Sequence, residues 1–417
     1  MFAVENNLSG PIPSELGLLT DLIALGFEQN PLIIGTIPDT LQNLTALQRF
    51  KCMYCSLTGV IPTWIGQAWP ELFLLGLTEN SITGSLPASL SDLSNLFLIA
   101  LDDNFLTGSL DALQSLSSLE RVYLEQNDFV GTIDGAFMAA AVGLKTLDLS
   151  NNNLVGSVPT HLMESVEILD LHDNQLTVFS DTVPENNNLE MLALHRNPFV
   201  GTLPSSIDNL QALTHLDLTS TTFNGTMPQF GLASQSLTYL FLADTTFDAG
   251  TIPDSYQALT DLVDLSLKAS SRTGVIPSWL ENLDRLVLLD LHLNSLIGTI
   301  PSNLGGMDSL EFLLLNRNQL TGTIPSELAL ATSLQIIFVE GNSLAGTMDF
   351  ICDASSLLAA AADCGGSIFP EIACKCCNEC CYDSIPDCNS GQFLGQYEPQ
   401  WADGYKRQYY DFTGGEE

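Results

Sequence analysis

A short repeat runs through most of this 417-residue chain, and no other feature limits the possible folds as strongly. The stretch from Leu289 to Pro301 recurs in the same frame from Leu313 to Pro325. The frame is also found at four earlier leucines, namely Leu75, Leu147, Leu192 and Leu216. The shared pattern is LxxLxLxxNxLxGxIPxxLxxLxx, with a period of about 24 residues and about fifteen units between residue 1 and roughly residue 350. This pattern predicts a solenoid whose units pack only against their neighbours.

Each part of the repeat predicts a local structure. The LxL pair alternates with polar residues, which indicates a short strand that buries every second side chain. Stacked strands then form one parallel sheet on the concave face. Gly-x-Ile-Pro starts a second, shorter sheet, and the trailing LxxL predicts a 3₁₀ or short helical turn on the convex side. The expected fold class is therefore an α/β solenoid. Asp111, Asp134 and Val178 depart from the pattern and should weaken the second sheet locally.

A column of asparagines is expected to bond the backbone of the adjoining turn in each unit. The ladder positions are Asn6, Asn30, Cys55, Asn80, Asn104, Asn127, Asn152, Asn174, Asn197, Thr221, Thr245, Ser270, Asn294, Asn318 and Asn342. Three consecutive units carry hydroxyl substitutes at Thr221, Thr245 and Ser270, and Arg272 stands where the next leucine belongs. The solenoid should be least regular there.

The LxGxIP signature resembles the plant-type leucine-rich repeats of receptor-kinase ectodomains, receptor-like proteins and polygalacturonase-inhibiting proteins. The resemblance extends over more than four fifths of the chain, as far as roughly residue 350. It implies a solenoid that recognises a ligand and catalyses no reaction. Because one fold hosts many functions, the resemblance specifies the fold more closely than the ligand.

Charge limits the partners. The chain has 49 acidic and 12 basic residues, a formal net charge of −37. Such a surface repels phosphate backbones and anionic lipid headgroups, so we expect neither nucleic acid nor a membrane surface as partner. No apolar run is long enough to predict a membrane span. Basic or neutral partners fit this charge, as do partners bridged by divalent cations.

The two ends of the chain differ from the repeats. Met1 aligns inside a strand, and neither a signal peptide nor an amino-terminal cap precedes it, so we expect an incomplete chain or gene model. Residues 1–350 form the predicted solenoid, residues 351–388 a cysteine-rich cap, and residues 389–417 an acidic, aromatic tail. The tail is expected to be either loose or folded back over the last coils.

Cysteines are concentrated in the predicted cap. Eight of the ten lie there and predict a disulfide framework whose connectivity stays open: Cys352, Cys364, Cys374, Cys376, Cys377, Cys380, Cys381 and Cys388. The cap resembles those of predicted leucine-rich-repeat proteins of diatoms. Zinc is the alternative, since Cys377 and Cys380 have ligand spacing. Cys52 and Cys55 are predicted to be a buried, free pair, with a local disulfide as the alternative.

The sequence contains no catalytic or cofactor-binding motif, so we expect neither an enzyme nor a cofactor. Candidate ligand-binding residues are instead the outward positions of the concave strands. A polar cluster comprises Asp170, His172, His195, His215 and Asp217, near Asp148, Asp173 and Arg196. We interpret the cluster as a solvated polar face to which no metal is assigned. A divalent metal site or a pH sensor is the alternative.

Apolar side chains occupy other outward positions. They are Tyr239, Phe241, Leu288, Phe312, Leu314, Ile336 and Phe338. Exposed patches of this kind mark contact surfaces, so we expect either an external partner or the tail to cover them. Within the concave face the Phe312 and Phe338 columns should contribute more binding energy than His195.

The leading hypothesis is an extracellular or cell-surface recognition module, secreted or receptor-like, that binds a protein, peptide or glycan on its concave face. Glycosylation sequons at Asn7, Asn43 and Asn224 agree with a secretory route. One alternative is an inhibitor of an extracellular hydrolase such as a polygalacturonase. A second is a structural or ice-binding surface protein, suggested by a regular row of Thr and Ser beside the Gly-x-Ile-Pro turns.

Overall fold

A computed structural model of the chain describes residues 1–133, 138–231, 234–352, 356–364, 372–377 and, for the backbone, 379–380. The chain forms two compact units, unit 1 (Met1–Asp248) and unit 2 (Ala249–Glu417). Each unit is a stack of coils in which successive repeats contribute parallel strands. The predicted α/β solenoid is confirmed. The proposed tail, 389–417, lies outside the described residues.

Unit 1 contains eighteen described strands. They are β1 (Ser9–Pro11), β2 (Ala24–Gly26), β3 (Leu32–Gly35), β4 (Arg49–Lys51), β5 (Ser56–Gly59), β6 (Leu74–Gly76), β7 (Ser81–Ser85), β8 (Leu98–Ala100), β9 (Phe105–Gly108), β10 (Arg121–Tyr123), β11 (Asp128–Thr132), β12 (Thr146–Asp148), β13 (Asn153–Ser157), β14 (Ile168–Asp170), β15 (Gln175–Val178), β16 (Met191–Ala193), β17 (His215–Asp217) and β18 (Tyr239–Phe241). The main sheet has the order β2-β4-β6-β8-β10-β12-β14-β16-β17-β18. The second sheet has the order β1-β3-β5-β7-β9-β11-β13-β15.

Unit 2 repeats this arrangement. Its described strands are β19 (Asp264–Ser266), β20 (Thr273–Val275), β21 (Leu288–Asp290), β22 (Ser295–Gly298), β23 (Phe312–Leu314), β24 (Gln319–Thr323), β25 (Ile336–Phe338), β26 (Ser343–Thr347), β27 (Ala359–Ala362), β28 (Ile372–Ala373) and β29 (Glu379–Cys380). The main sheet has the order β19-β21-β23-β25-β27-β29, and the second sheet β20-β22-β24-β26-β28. Both sheets therefore continue past residue 350 into the cysteine-rich segment.

The LxL pairs form the core of each coil. Leu147 and Leu149 are fully buried, whereas Asp148 between them points to the opposite face and is only partly buried. In register, Leu147 of β12 lies beside Leu169 of β14. Leucines at equivalent positions thus stack from coil to coil, and burying each of them contributes about 1.5–3 kcal/mol.

Prolines of the Gly-x-Ile-Pro turns begin the convex side. They precede 3₁₀ helices, because proline presets φ and its missing N–H costs nothing at a helix start. The helices of this kind are Ser14–Leu18, Asp39–Asn43, Ala88–Asp92, Ser205–Asn209, Asp254–Ala258, Ser278–Asn282, Ser302–Gly306 and Ser326–Leu330, with Asp111–Leu113 formed without proline. Two short α-helices replace the 3₁₀ turn, α1 (Ile65–Ala68) and α2 (Leu162–Ser165). The turn glycine is required at Gly298, whose φ is +81°.

The asparagine ladder joins each coil to the one before it. Asn152 Oδ1 accepts a hydrogen bond from Phe129 N–H at 3.0 Å. Its Nδ2 donates to Leu124 O of the preceding coil at 3.0 Å and to Leu149 O of its own coil at 3.1 Å. The side chain of Thr221 is shorter than that of asparagine, and its Oγ1 donates to Leu218 O of its own coil at 2.7 Å. The hydroxyl substitute therefore reproduces the bond within its own coil.

The predicted irregular region is confirmed. Between Val178 and Thr273 the described residues form no strand of the second sheet, only the isolated bridges Thr202–Asn224 and Gly250–Arg272. The boundary between the two units falls in this interval. Arg272 is buried, 2% exposed, and its Nε donates to Ser270 O at 2.8 Å.

Disulfides occur where the sequence predicts a cap. Cys352 is bonded to Cys376 and Cys374 to Cys377, and Cys364 is disulfide-bonded as well. The zinc alternative is wrong for Cys377, whose sulfur is in a disulfide. The side chains of the other predicted cap cysteines, Cys380, Cys381 and Cys388, lie outside the described residues.

The prediction of a free Cys52 and Cys55 pair is wrong, because the two residues form a disulfide. Tyr54 between them has φ +55°, and this turn brings the two Cα atoms to 5.9 Å. That separation lies within the usual range for a disulfide. Both sulfurs point into the same coil interior, where Cys52 is fully buried.

Candidate ligand-binding site on the concave face

The face of each main sheet that is turned away from the core is the concave face. Its side chains come from alternate positions of every strand and from the second and third residues after the strand. The cross-strand distance of about 4.8 Å brings equivalent positions of neighbouring coils into contact. Residues about 24 positions apart in sequence therefore form continuous rows, and the candidate residues lie in those rows.

Four of the predicted polar residues meet in unit 1. His172 Nδ1 lies 2.5 Å from Asp170 Oδ1, within the coil of β14. His195, at the same position one coil later, stacks on His172 with ring centroids 4.2 Å apart and planes 10° from parallel. Its Nδ1 lies 3.2 Å from Asp217 Oδ2 of the next coil. The sequence prediction of a cluster is correct, and the cluster is more compact than a loosely solvated face.

Burial and charge shift the titration of this cluster in opposite directions. Burial tends to raise the pKa of Asp170, but the adjacent His172 outweighs it and holds that pKa below its usual value. Burial tends to lower the pKa of His172, but Asp170 outweighs it and raises that pKa. Burial lowers the pKa of His195 despite the nearby Asp217. As the pH rises, His195 therefore loses its proton before His172 does.

An aromatic patch adjoins the cluster. We define the Tyr239 patch as His215 and Asp217 of β17 with Tyr239 and Phe241 of β18. His215 stacks on Tyr239 with centroids 4.3 Å apart, and Asp217 lies in register with Phe241. Tyr239 and Phe241 are partly buried, whereas His215 is 7% exposed. The patch combines two aromatic rings, an imidazole and a carboxylate within two strands.

The apolar columns of unit 2 have little accessible surface. Leu288, Leu314, Ile336 and Phe338 are buried, at most 2% exposed, and their assignment as ligand-binding residues stays a prediction. Phe312 is partly buried. Large side chains at equivalent positions of neighbouring strands cover one another, and this contributes to the burial. The sequence shows which way a side chain points but not how much of it stays accessible.

Sequence reasoning did not single out two carboxylates of the concave face of unit 1. Burial raises the pKa of Asp102 to about 6, although Thr78 donates a hydrogen bond to it at 2.7 Å. Burial and Asp148 raise the pKa of Glu125 well above its usual value. Burial and Asp170 raise the pKa of Asp148 to about 7. Asp102 and Glu125 each directly follow a core leucine, at the repeat position that His172 occupies in its own coil. This spacing was the signal in the sequence that could have identified them.

A carboxylate in unit 2 predicts a pH dependence of stability. Burial raises the pKa of Asp264 to about 7, with Glu311 adding to the effect. In the unfolded chain the pKa of this carboxyl has its ordinary value near 4. The folded state therefore binds the Asp264 proton more tightly than the unfolded state does. The stability that this proton contributes is lost as the pH rises from about 4 to about 7. At pH 8, Asp264→Asn should raise the free energy of unfolding by about 1–2 kcal/mol.

Urea unfolding at pH 4 and pH 8 checks this expectation. At pH 4 the variant and the unmodified chain should be equally stable. Asp308→Asn is the matched control, because it removes an equal charge from an exposed position of the same unit. A gain at pH 8 that is equally large for Asp308→Asn would contradict the role of burial.

Surface features agree with passage through a secretory route. The sequon residues Asn7, Asn43 and Asn224 are all exposed, so each is accessible to a glycosyltransferase. Among the described residues, no helix combines the length and apolar character required to cross a bilayer.

Comparison with known proteins extends these observations. Models of the leucine-rich repeat match residues 164–223, 143–164 and 309–330. Among curated proteins of Arabidopsis thaliana, the receptor-like kinase TMK2 is 28% identical over 189 residues, which cover 39% of this chain and 21% of the relative. Receptor-like protein 31 is 29% identical over 248 residues, covering 52% and 28%. The chain thus spans a minor part of the curated relatives that it matches.

Solved structures show the same fold. The ectodomain of the Arabidopsis receptor kinase HAESA, in complex with an extended IDA peptide hormone, matches with a TM-score of 0.74 and 28% identity over 85% of this chain and 60% of that one. The plant peptide hormone receptor RGFR1, in complex with RGF2, matches with a TM-score of 0.72 and 27% identity over 84% and 60%. The leucine-rich-repeat fold of this chain, with its asparagine ladder and paired parallel sheets, is thus similar to that of plant receptor ectodomains.

Proposed function

We propose that the chain is an extracellular recognition module that binds a peptide segment at the Tyr239 patch on the concave face of unit 1. The observation that carries the proposal is the juxtaposition of Tyr239 and Phe241 on one strand with His215 and Asp217 on the next. Aromatic side chains supply large contact areas at low entropic cost and dominate many binding interfaces. A neighbouring carboxylate adds orientation and selectivity.

Charge specifies the kind of peptide. The chain has a net charge of −37, and on the concave face of unit 1 Asp217 lies in register with Phe241, with Asp170 and Asp148 on earlier strands of the same sheet. A peptide with an apolar side chain for the aromatic patch and a basic group for the carboxylates is complementary to this surface. Similar solved structures are complexes of receptors with peptide hormones, which supports a peptide as ligand.

An extracellular location is supported by the disulfides. Cys52–Cys55, Cys352–Cys376 and Cys374–Cys377 are bonds that persist in oxidising compartments and are rare in the cytosol. The exposed sequons agree with this location. In this proposal the chain recognises a ligand and does not catalyse a reaction.

Selection from a library of short random peptides, followed by anisotropy measurements on synthetic copies, tests the proposal. Selected peptides should combine apolar and basic residues. Phe241→Ala and Tyr239→Ala should each weaken binding at least about tenfold, or about 1.4 kcal/mol. Phe105→Ala is the matched control, since Phe105 is an aromatic residue of the second sheet that is 57% exposed, and it should leave the affinity unchanged.

Two outcomes would overturn the proposal. In one, both patch variants stay folded and bind the selected peptides as tightly as the unmodified chain does. In the other, selection enriches the same peptides on the Tyr239→Ala and Phe241→Ala double variant. Either result would place recognition outside the Tyr239 patch.

A further inference from the structure

Three side chains in unit 1 bring potential metal ligands together. His172 and His195 occupy equivalent positions of adjacent coils, and Asp173 follows His172 directly. One ligand atom from each of the three lies within 4.8 Å of the other two. Asp173 has φ +49°, a conformation that recurs at this position along the ladder and fixes where its carboxylate leaves the coil.

A carboxylate lies beside Nδ1 of each imidazole, and for His172 it forms a hydrogen bond that orients the ring. Asp170 contacts His172 Nδ1 at 2.5 Å, and Asp217 contacts His195 Nδ1 at 3.2 Å. Carboxylates behind the far ring nitrogen are the usual outer partners of metal-bound histidines, because they fix the ring and increase its basicity. His172 Nε2 is then directed towards Asp173, whose Oδ2 lies 3.8 Å away.

The surroundings can accommodate a dication. The side chains of His172, His195 and Asp173 are 10%, 16% and 29% exposed, so an ion can enter from solvent. Two other groups currently contact the ligand atoms: Asn151 Nδ2 lies 2.9 Å from His172 Nε2, and Arg196 Nη1 lies 3.0 Å from Asp173 Oδ2. Arg196 is 63% exposed and free to turn into solvent, so a cation can take its place beside the carboxylate.

We propose that His172, Asp173 and His195 form a binding site for a late first-row divalent cation such as Zn²⁺. Two imidazoles and one carboxylate are ligands that these ions favour, and three protein ligands leave a coordination position open. An imidazole nitrogen binds a metal in the plane of its ring, so the two stacked rings, now 10° from parallel, tilt relative to each other when both bind one ion. The metal site adjoins the Tyr239 patch, because Asp217 of the patch also contacts His195.

The chain contains a matched control for this site. His292 of unit 2 also follows its strand by two residues, and its Nδ1 contacts Asp290 Oδ1 at 2.5 Å, as in the His172–Asp170 pair. The equivalent positions of the flanking coils are Lys268 and Asn316, so His292 has no second histidine beside it. It shares the oriented imidazole of His172 but not the ligand set.

Calorimetric titration of the whole, oxidised chain with ZnCl₂ tests the proposal. We expect one saturable site, with His172→Ala and His195→Ala each weakening binding at least tenfold and His292→Ala leaving it unchanged. Arg196→Gln should tighten binding, because it removes the cation that competes for Asp173. Co²⁺ provides a second readout, since its visible absorption in the site should disappear in His195→Ala.

Several results would overturn the proposal. They are the absence of saturable Zn²⁺ binding, equal losses in His195→Ala and His292→Ala, and no gain in Arg196→Gln. Circular dichroism establishes that each variant is folded. Peptide binding is measured in metal-free buffer, so failure of the Zn²⁺ site and failure of the proposed function are distinguishable.

Discussion

Replacing Trp69 by alanine should lower the free energy of unfolding of unit 1 by about 3–5 kcal/mol. Trp69 is fully buried at the end of α1. Its ring lies 5.1 Å from Phe50 and 5.2 Å from Trp64, and its Nε1 donates to Leu41 O at 2.9 Å. The substitution therefore leaves a large cavity, removes two aromatic contacts and removes one of the two hydrogen bonds to Leu41 O.

Urea unfolding followed by circular dichroism measures this loss. Trp279→Ala is the matched control, because Trp279 is only partly buried and its Nε1 bonds to the exposed Asp254 at 3.1 Å. Trp279→Ala should lower the free energy of unfolding by less than about 1 kcal/mol. Comparable shifts for the two variants would show that the interior at Trp69 is not packed as described.

The second large effect is expected at the ladder. Asn318→Ala should lower the free energy of unfolding by about 2–4 kcal/mol, because it removes three hydrogen bonds to buried backbone groups and takes the acceptor from Leu296 N–H. Asn318 Oδ1 accepts from Leu296 N–H at 3.0 Å, and its Nδ2 donates to Leu291 O at 2.9 Å and Leu315 O at 3.0 Å. Two of these groups belong to the preceding coil, so the substitution weakens both coils.

Ser270→Ala provides the comparison. Ser270 Oγ donates to Leu267 O at 2.6 Å, a bond within its own coil. Its loss should cost about 1 kcal/mol. Denaturant midpoints of the two variants decide the matter, and equal midpoints would argue against the asparagine ladder as a connection between coils.

The sequence predicted the fold because the repeat specifies it in each coil. The alternation of apolar and polar residues around Leu147 determines the strand and its buried face, and the proline turns determine where the chain changes direction. Each coil needs only its neighbours to complete its packing. The hydroxyl substitutes from Thr221 to Ser270 also located the irregular interval correctly. These features depend on local spacing, which a single sequence displays directly.

The candidate site was only partly predictable. The frame placed His172 and His195 in one row, but the stacked rings and their oriented Nδ1 atoms depend on side-chain conformations that spacing does not specify. The frame predicted an outward direction for Leu288 and Phe338, but their exposed fraction could not be read from it, because direction does not determine accessibility. The Cys52–Cys55 disulfide depends on a turn with positive φ, which the cysteine spacing did not reveal.

The direction of the ladder has a consequence for how the chain is made. Asn30, for example, accepts through Oδ1 from Leu8 N–H and donates through Nδ2 to Ala3 O, and both groups belong to the preceding coil. A ribosome synthesises the amino-terminal coil first. Each new coil therefore lacks these side-chain hydrogen bonds until the asparagine of the next coil emerges about 24 residues later. Folding during synthesis then proceeds in one direction, and a nascent chain carries one incomplete coil at its growing end.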